Sequence, residues 1–214
     1  MGNMRKVLLL LVNVYLFLST AILCILNLDA VPGGEGQSID GSQDLMFFTV
    51  DSNLLMGLCS LILVITILKK RDKIPGWLRI LELMATTSVG VTFFTVALFL
   101  GVIVALSGGN YFSLYTKTNL FFHFLNPLLA FVSFIWLMPA KRYSVKECFL
   151  GILPTVLYSV VYVIQVVILK NWPDIYYFTF GGQDWVTPIV VAAMYAMSFG
   201  IAVVLTKSHN RMQI

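Results

Sequence analysis

FFTVDSNLLMGLCSLILVITILKK, residues 47–70, opens with two phenylalanines and closes with two lysines, as a membrane-crossing segment does, yet Thr49, Asp51, Ser52 and Asn53 crowd its mouth. Its long apolar run, from Leu54 to Leu68, decides the fold class. The chain around it is 59% hydrophobic, 14% aromatic and 11% charged, with a mean hydropathy of +0.90. A soluble chain carries about 25% charged residues, so this composition specifies an integral membrane protein.

Six apolar segments, near 7–27, 46–68, 79–106, 119–138, 148–169 and 187–206, are long enough to span a bilayer. A hydrocarbon core of about 30 Å takes roughly 20 helical residues. A bilayer offers backbone groups no water, which restricts spans to helices or closed barrels, and continuous apolar runs lack the alternation of a barrel strand. The expected fold is all-α, one six-helix transmembrane domain over residues 1–214.

The net charge of +4 is explained by topology. Arg5, Lys6, Lys69, Lys70, Arg71, Lys73, Arg79, Lys141, Arg142, Lys146, Lys207 and Arg211 fall at the amino terminus, the second and fourth loops or the tail, and only Lys117 and Lys170 fall on the other side. The positive-inside rule then puts both termini in the cytoplasm. The opposite face is acidic, with Asp29, Glu35, Asp40 and Asp44 in the first loop and Asp174 and Asp184 in the fifth. Basic residues scattered over short loops give no nucleic-acid surface. The first segment follows MGNMRK as a signal peptide's core would, but it exceeds the usual length of about 7–15 residues and lacks a convincing small-residue cleavage site, so it is read as a helix. Cys24, Cys59 and Cys148 lie at different expected depths, which argues against a disulfide or a metal site. The longest loop, LDAVPGGEGQSIDGSQD, reads as flexible and carries no nucleotide-binding fingerprint.

Polar residues in the spans fall on stripes. Thr49, Ser52, Asn53, Met56, Cys59 and Ser60 recur at spacings of three and four, and so do Asn119, His123, Asn126, Ala130 and Ser133 in YTKTNLFFHFLNPLLAFVSFIWLM. Further stripes comprise Glu82, Thr86, Gly90 and Ala97, and Tyr158, Tyr162 and Gln165. Polar groups are costly in lipid, so these faces turn inward, around a hydrated cavity or an interhelical network. Helix capping is the simplest role for Thr49, Asp51 and Ser52, an interhelical hydrogen bond the simplest for His123, and pairing with Arg79 the simplest for Glu82. Thr49 and His123 nevertheless share a depth, and a threonine hydroxyl becomes a nucleophile when a neutral histidine takes its proton. The amino terminus of the second helix also presents N–H groups suited to a developing oxyanion. Asp51, Asn119 and Asn126 are candidates to orient the histidine, with Ser52 and Asn53 beside the nucleophile.

At these residues the chain resembles a known family. FFTVDSNL around Thr49, HFLNPLLA at His123 and DIYYFTF before the last helix are similar to the androgen-induced-gene family of integral-membrane threonine hydrolases, and more so to its bacterial relatives. The resemblance implies six helices, hydrolysis of a lipid or fatty-acid ester, Thr49 as nucleophile and His123 as its base. It also implies the plasma membrane as the location for a bacterial chain. The expected partners are the bilayer and a fatty-ester ligand, with no metal or organic cofactor. A six-helix protein that binds or transports a small amphipathic ligand without cleaving it is the competing reading.

The topology is checked by cysteine accessibility: a Ser208→Cys variant is expected to react with a membrane-impermeant thiol reagent only after the cytoplasmic face is exposed, and labelling from outside intact cells would reverse the orientation.

Overall fold

Six helices are long and apolar enough to cross a membrane, and they organise the computed structural model, which describes residues 2–25, 46–69, 74–139 and 141–212. They are α1 (Asn3–Ile25), α2 (Phe48–Leu68), α3 (Gly76–Leu106), α4 (Thr118–Leu137), α5 (Val145–Ile168) and α6 (Thr187–Met212). No strand occurs among the described residues. The acidic cluster of the first loop, residues 26–27 at the expected end of α1, and Lys70, Arg71 and Lys73 lie outside the described residues. The largest boundary differences from the sequence reading are at α1, which begins at Asn3, and α6, which runs on through Lys207 and His209 to Met212, while α3 and α5 begin earlier, at Gly76 and Val145. Hydropathy marks where a helix stops being apolar. The helix itself continues as long as its hydrogen bonds and packing persist.

The helix α3 is the centre of the bundle, packing against α2, α4, α5 and α6, while α1 lies outside against α2 and α4. One apolar core forms around Leu9, Leu16, Met56, Leu63, Leu78 and Val89, between α1, α2 and α3. A second forms around Phe134, Tyr158, Tyr162, Phe178, Ile201 and Leu205, between α4, α5, α6 and the loop before α6. Leu11, Leu18, Ile22, Leu58, Ile65, Phe99 and Val204 remain exposed, as expected where acyl chains take the place of water.

Cross-links between helix ends fix the up-and-down order. At the basic end, Arg5 Nε donates to the Leu137 carbonyl at 3.0 Å and Asn210 Nδ2 to the Tyr143 carbonyl at 2.8 Å. At the other end, where α2 begins, the Tyr158 hydroxyl donates to the Met46 carbonyl at 2.6 Å. The expected Arg79–Glu82 pairing does not form. Arg79 instead forms an ion pair with Glu147 and lies over the Tyr143 ring at 4.4 Å. Glu147 is better placed because it is already held by the capping box of α5, where its Oε2 accepts from the Ser144 N–H at 2.7 Å.

Several spans widen into π-helical turns. One of these, Phe121–Leu125 in α4, directly precedes Asn126–Pro127. Pro127 has no N–H to give to the carbonyl four residues back and its ring crowds that carbonyl, so the ladder slips by one residue. His123 sits in this turn.

Gly101 marks the tightest contact. A Cβ there would lie 2.2 Å from the Tyr111 ring, whose hydroxyl donates to the Ala97 carbonyl at 3.0 Å. Gly101→Ala is expected to displace that ring and lower stability by about 1–3 kcal/mol. Gly76→Ala, with nothing within 4 Å, serves as the neutral control. Thermal unfolding in detergent measures both, and equal melting temperatures for the two variants would contradict the packing.

Candidate functional site

The amino terminus of α2 is capped from a distant part of the chain. Phe47, at the cap position, makes no side-chain cap bond, and the Ser52 hydroxyl turns back to the Thr49 carbonyl at 3.1 Å. The Phe48 N–H donates instead to the Tyr176 hydroxyl at 3.0 Å. Thr49, the next residue, lies beside the same phenol. Capping by Thr49, Asp51 and Ser52 is thus replaced by a loop residue, and the N–H expected to face an oxyanion already has a partner. A phenol oxygen satisfies this N–H as a cap side chain would.

The loop that carries Tyr176 is built on Asp174. Its Oδ1 accepts from the Tyr162 hydroxyl at 3.1 Å and the Phe178 N–H at 2.8 Å, and its Oδ2 accepts from the N–H and hydroxyl of Thr179, both at 2.7 Å. Tyr162 in turn accepts from the Tyr176 N–H at 3.0 Å. These bonds hold Tyr177 and Phe180 at φ values of 55° and 46°, a region that costs a residue with a side chain about 1–2 kcal/mol. Withdrawal of the Tyr176 phenol from water pushes its pKa up to about 12, so it keeps its proton at neutral pH. Its oxygen accepts from Phe48 while its O–H remains available to donate, so it is no base.

Beneath this loop lies a cavity of about 390 Å³, within the range of small-ligand sites. Its walls are apolar, supplied by Val91, Val96, Phe99, Ile103, Met194 and Met197 among others, and its polar groups are Thr49, Thr92, Thr95 and the tyrosines. Of the stripe residues, Thr49 and Tyr158 line this chamber, which is apolar with a polar rim rather than hydrated throughout. The Ser52 hydroxyl bonds the Thr92 hydroxyl at 3.0 Å, joining α2 to α3 at the wall.

The remaining expected residues divide between other environments. Asn53 Nδ2 donates to the carbonyls of Thr49 at 2.8 Å and Phe122 at 3.3 Å, which ties the backbone of Thr49 to the residue preceding His123. Asn126 Nδ2 donates to Asn53 Oδ1 at 3.0 Å, and its own Oδ1 accepts from the Ser19 hydroxyl at 3.0 Å. His123 is buried, with Nδ1 3.0 Å from the Leu114 carbonyl, and does not line the cavity. Because a carbonyl only accepts, Nδ1 carries the proton and Nε2 the lone pair, which is the tautomer a general base needs. Asn119 is buried, with no partner for its Oδ1. Asp51 lines a separate groove of about 300 Å³ with Leu55, Pro154 and Trp172, on the far side of the Phe48 and Tyr158 rings that both chambers share. It approaches neither Thr49's cavity nor His123's contact with Leu114.

Thr92, Thr95 and Tyr176 were not singled out from sequence. The aromatic run after Asp174 was a visible signal, but nothing in its spacing specified a contact 128 residues away with α2.

Comparison with protein-family models, curated proteins and solved structures returns no match for this chain.

Removing the cap is expected to loosen this end of the bundle: Tyr176→Phe should cost about 0.5–2 kcal/mol, the range of a lost helix cap. Asp174→Ala, which removes four accepted bonds, should cost more. Denaturation of the two variants side by side checks that order, and a smaller loss for Asp174→Ala would contradict it.

Proposed function

We propose that this protein binds a fatty-acyl ester in the cavity under the Tyr176 loop and cleaves it by acyl transfer to Thr49, as the resemblance to the androgen-induced-gene family implies. The observation that carries the reading is the position of Thr49: its side chain lines an apolar cavity and adjoins a protonated phenol. An acyl chain would occupy the apolar walls, and the ester carbonyl would meet the Thr49–Tyr176 rim. With both termini cytoplasmic, this rim lies in the outer half of the membrane, where a lipid ester enters from the outer leaflet.

In this mechanism the Thr49 hydroxyl attacks the carbonyl carbon while its proton passes to His123 Nε2. The Tyr176 O–H donates to the carbonyl oxygen as negative charge develops there, the role of an oxyanion-hole donor. His123 then protonates the departing alkoxide, and water hydrolyses the acyl-threonine to release the acid. His123 must turn toward Thr49 for this, since its ring does not line the cavity. Catalytic hydrogen bonds commonly tighten only when substrate is bound.

The position of His123 also favours the second reading, a binding protein without the chemistry. Its Nδ1 contact with Leu114 serves the packing of the loop before α4 as well as it serves a base.

Thr49→Ala and His123→Ala are each expected to abolish hydrolysis of a long-chain ester, while Thr49→Ser keeps part of it. Turnover and melting temperature are measured on the same preparations, and a fluorescent fatty ester reports binding. Undiminished turnover in folded Thr49→Ala protein would reject the nucleophile. Ester binding without turnover in the wild type would establish the binding reading in its place.

A further inference from the structure

The most costly polar group in the bundle lies away from this cavity, toward the basic end. Glu82 on α3 is 1% exposed, and among the described residues neither carboxyl oxygen has a hydrogen-bond partner from nitrogen or oxygen. The Cys59 thiol on α2 lies against it. Ser60, the next residue on α2, and Thr86, one turn along α3 on Glu82's own face, are both wholly buried with unpartnered hydroxyl oxygens.

None of the neighbouring charged or ring groups hydrogen-bonds Glu82, although Arg79 keeps one buried nitrogen, Nη1, without a partner. Arg79 pairs with Glu147, Tyr143 donates to the Arg79 carbonyl at 3.0 Å, and His209 Nδ1 faces the Phe134 carbonyl at 2.8 Å. A carboxylate in a bilayer interior is strongly destabilising unless its charge is matched. A proton would neutralise Glu82, but its single O–H could serve only one of the two hydroxyl oxygens of Ser60 and Thr86. A hard cation satisfies all three residues at once, because carboxylate and hydroxyl oxygens are its preferred ligands. One carboxylate balances one positive charge. With a single carboxylate and two neutral hydroxyls, the charge of the group matches a monovalent ion better than a divalent one.

We propose that Glu82, Thr86 and Ser60 form a binding site for a small monovalent cation between α2 and α3. The bound ion would tie the two helices together at a depth where the Cys59 thiol is the one side chain shown against the carboxylate among the described residues.

The test uses the full chain purified in detergent, with Na⁺ as the probe and choline chloride to hold ionic strength. Na⁺ is expected to raise the melting temperature saturably and to slow modification of Glu82 by dicyclohexylcarbodiimide, read by mass spectrometry. Glu82→Gln should lose the Na⁺ response, and Thr86→Val should raise the apparent Kd about tenfold, as loss of one ligand oxygen predicts. No saturable Na⁺ dependence in the wild type, or an unchanged dependence in Glu82→Gln, overturns the proposal. Carbodiimide modification of Glu82 that is indifferent to Na⁺ does the same and leaves a neutral buried acid. Should Glu82→Gln fail to fold, Thr86→Val decides, and an unaltered Na⁺ affinity in that variant rejects the site.

Discussion

Asn53 donates to carbonyls on two helices and accepts from Asn126 on the second of them, and Asn126 in turn accepts from Ser19 on α1. One side-chain chain therefore joins α2, α4 and α1 in the half of the bundle where α2 begins. Its importance follows from the solvent. Without water in the hydrocarbon region, each buried amide must find its partners inside the protein, and the helices settle where those partners meet. The spacing between Thr49 and the backbone next to His123 is set by this one amide, and the π-helical turn forced by Pro127 determines where His123 then faces.

The two ends of the bundle handle polarity differently. Where α2 begins, hydroxyls and amides are matched by protein partners: Ser52 with Thr92, and Phe48 with Tyr176. What remains is an apolar chamber with a narrow polar rim. Toward the basic end, Asn13 Oδ1, Ser60 Oγ, Thr86 Oγ1 and both oxygens of Glu82 have no hydrogen-bond partner among the described residues. Arg79 is drawn to Glu147, which the capping box has already oriented, and that competition leaves Glu82 without an ion pair among the described residues.

The loop before α6 connects these themes. Asp174 gathers four bonds, and they offset the strain of two residues held at positive φ. The reward is a rigid position for the Tyr176 phenol, which closes the end of α2 and stands at the mouth of the cavity. A flexible loop would leave the first N–H groups of α2 to water and the chamber open.

The six spans were legible because hydropathy and length are one-dimensional properties that the bilayer reads directly. The inward stripes were legible for a similar reason: helical periodicity puts Asn119, His123, Asn126, Ala130 and Ser133 on one face whatever the neighbours are, and all five are buried. Periodicity cannot say which face meets which. That Arg79 would choose Glu147 over Glu82, that Asp51 would fall behind the Phe48–Tyr158 wall, and that Tyr176 would cap α2 all depend on how six rotating helices and one loop pack together. The sequence by itself determined the class of fold and the residues withdrawn from lipid. The tertiary structure alone decided their partners, because a hydrogen bond depends on distances of a few ångströms between groups that the chain separates by as many as 133 residues.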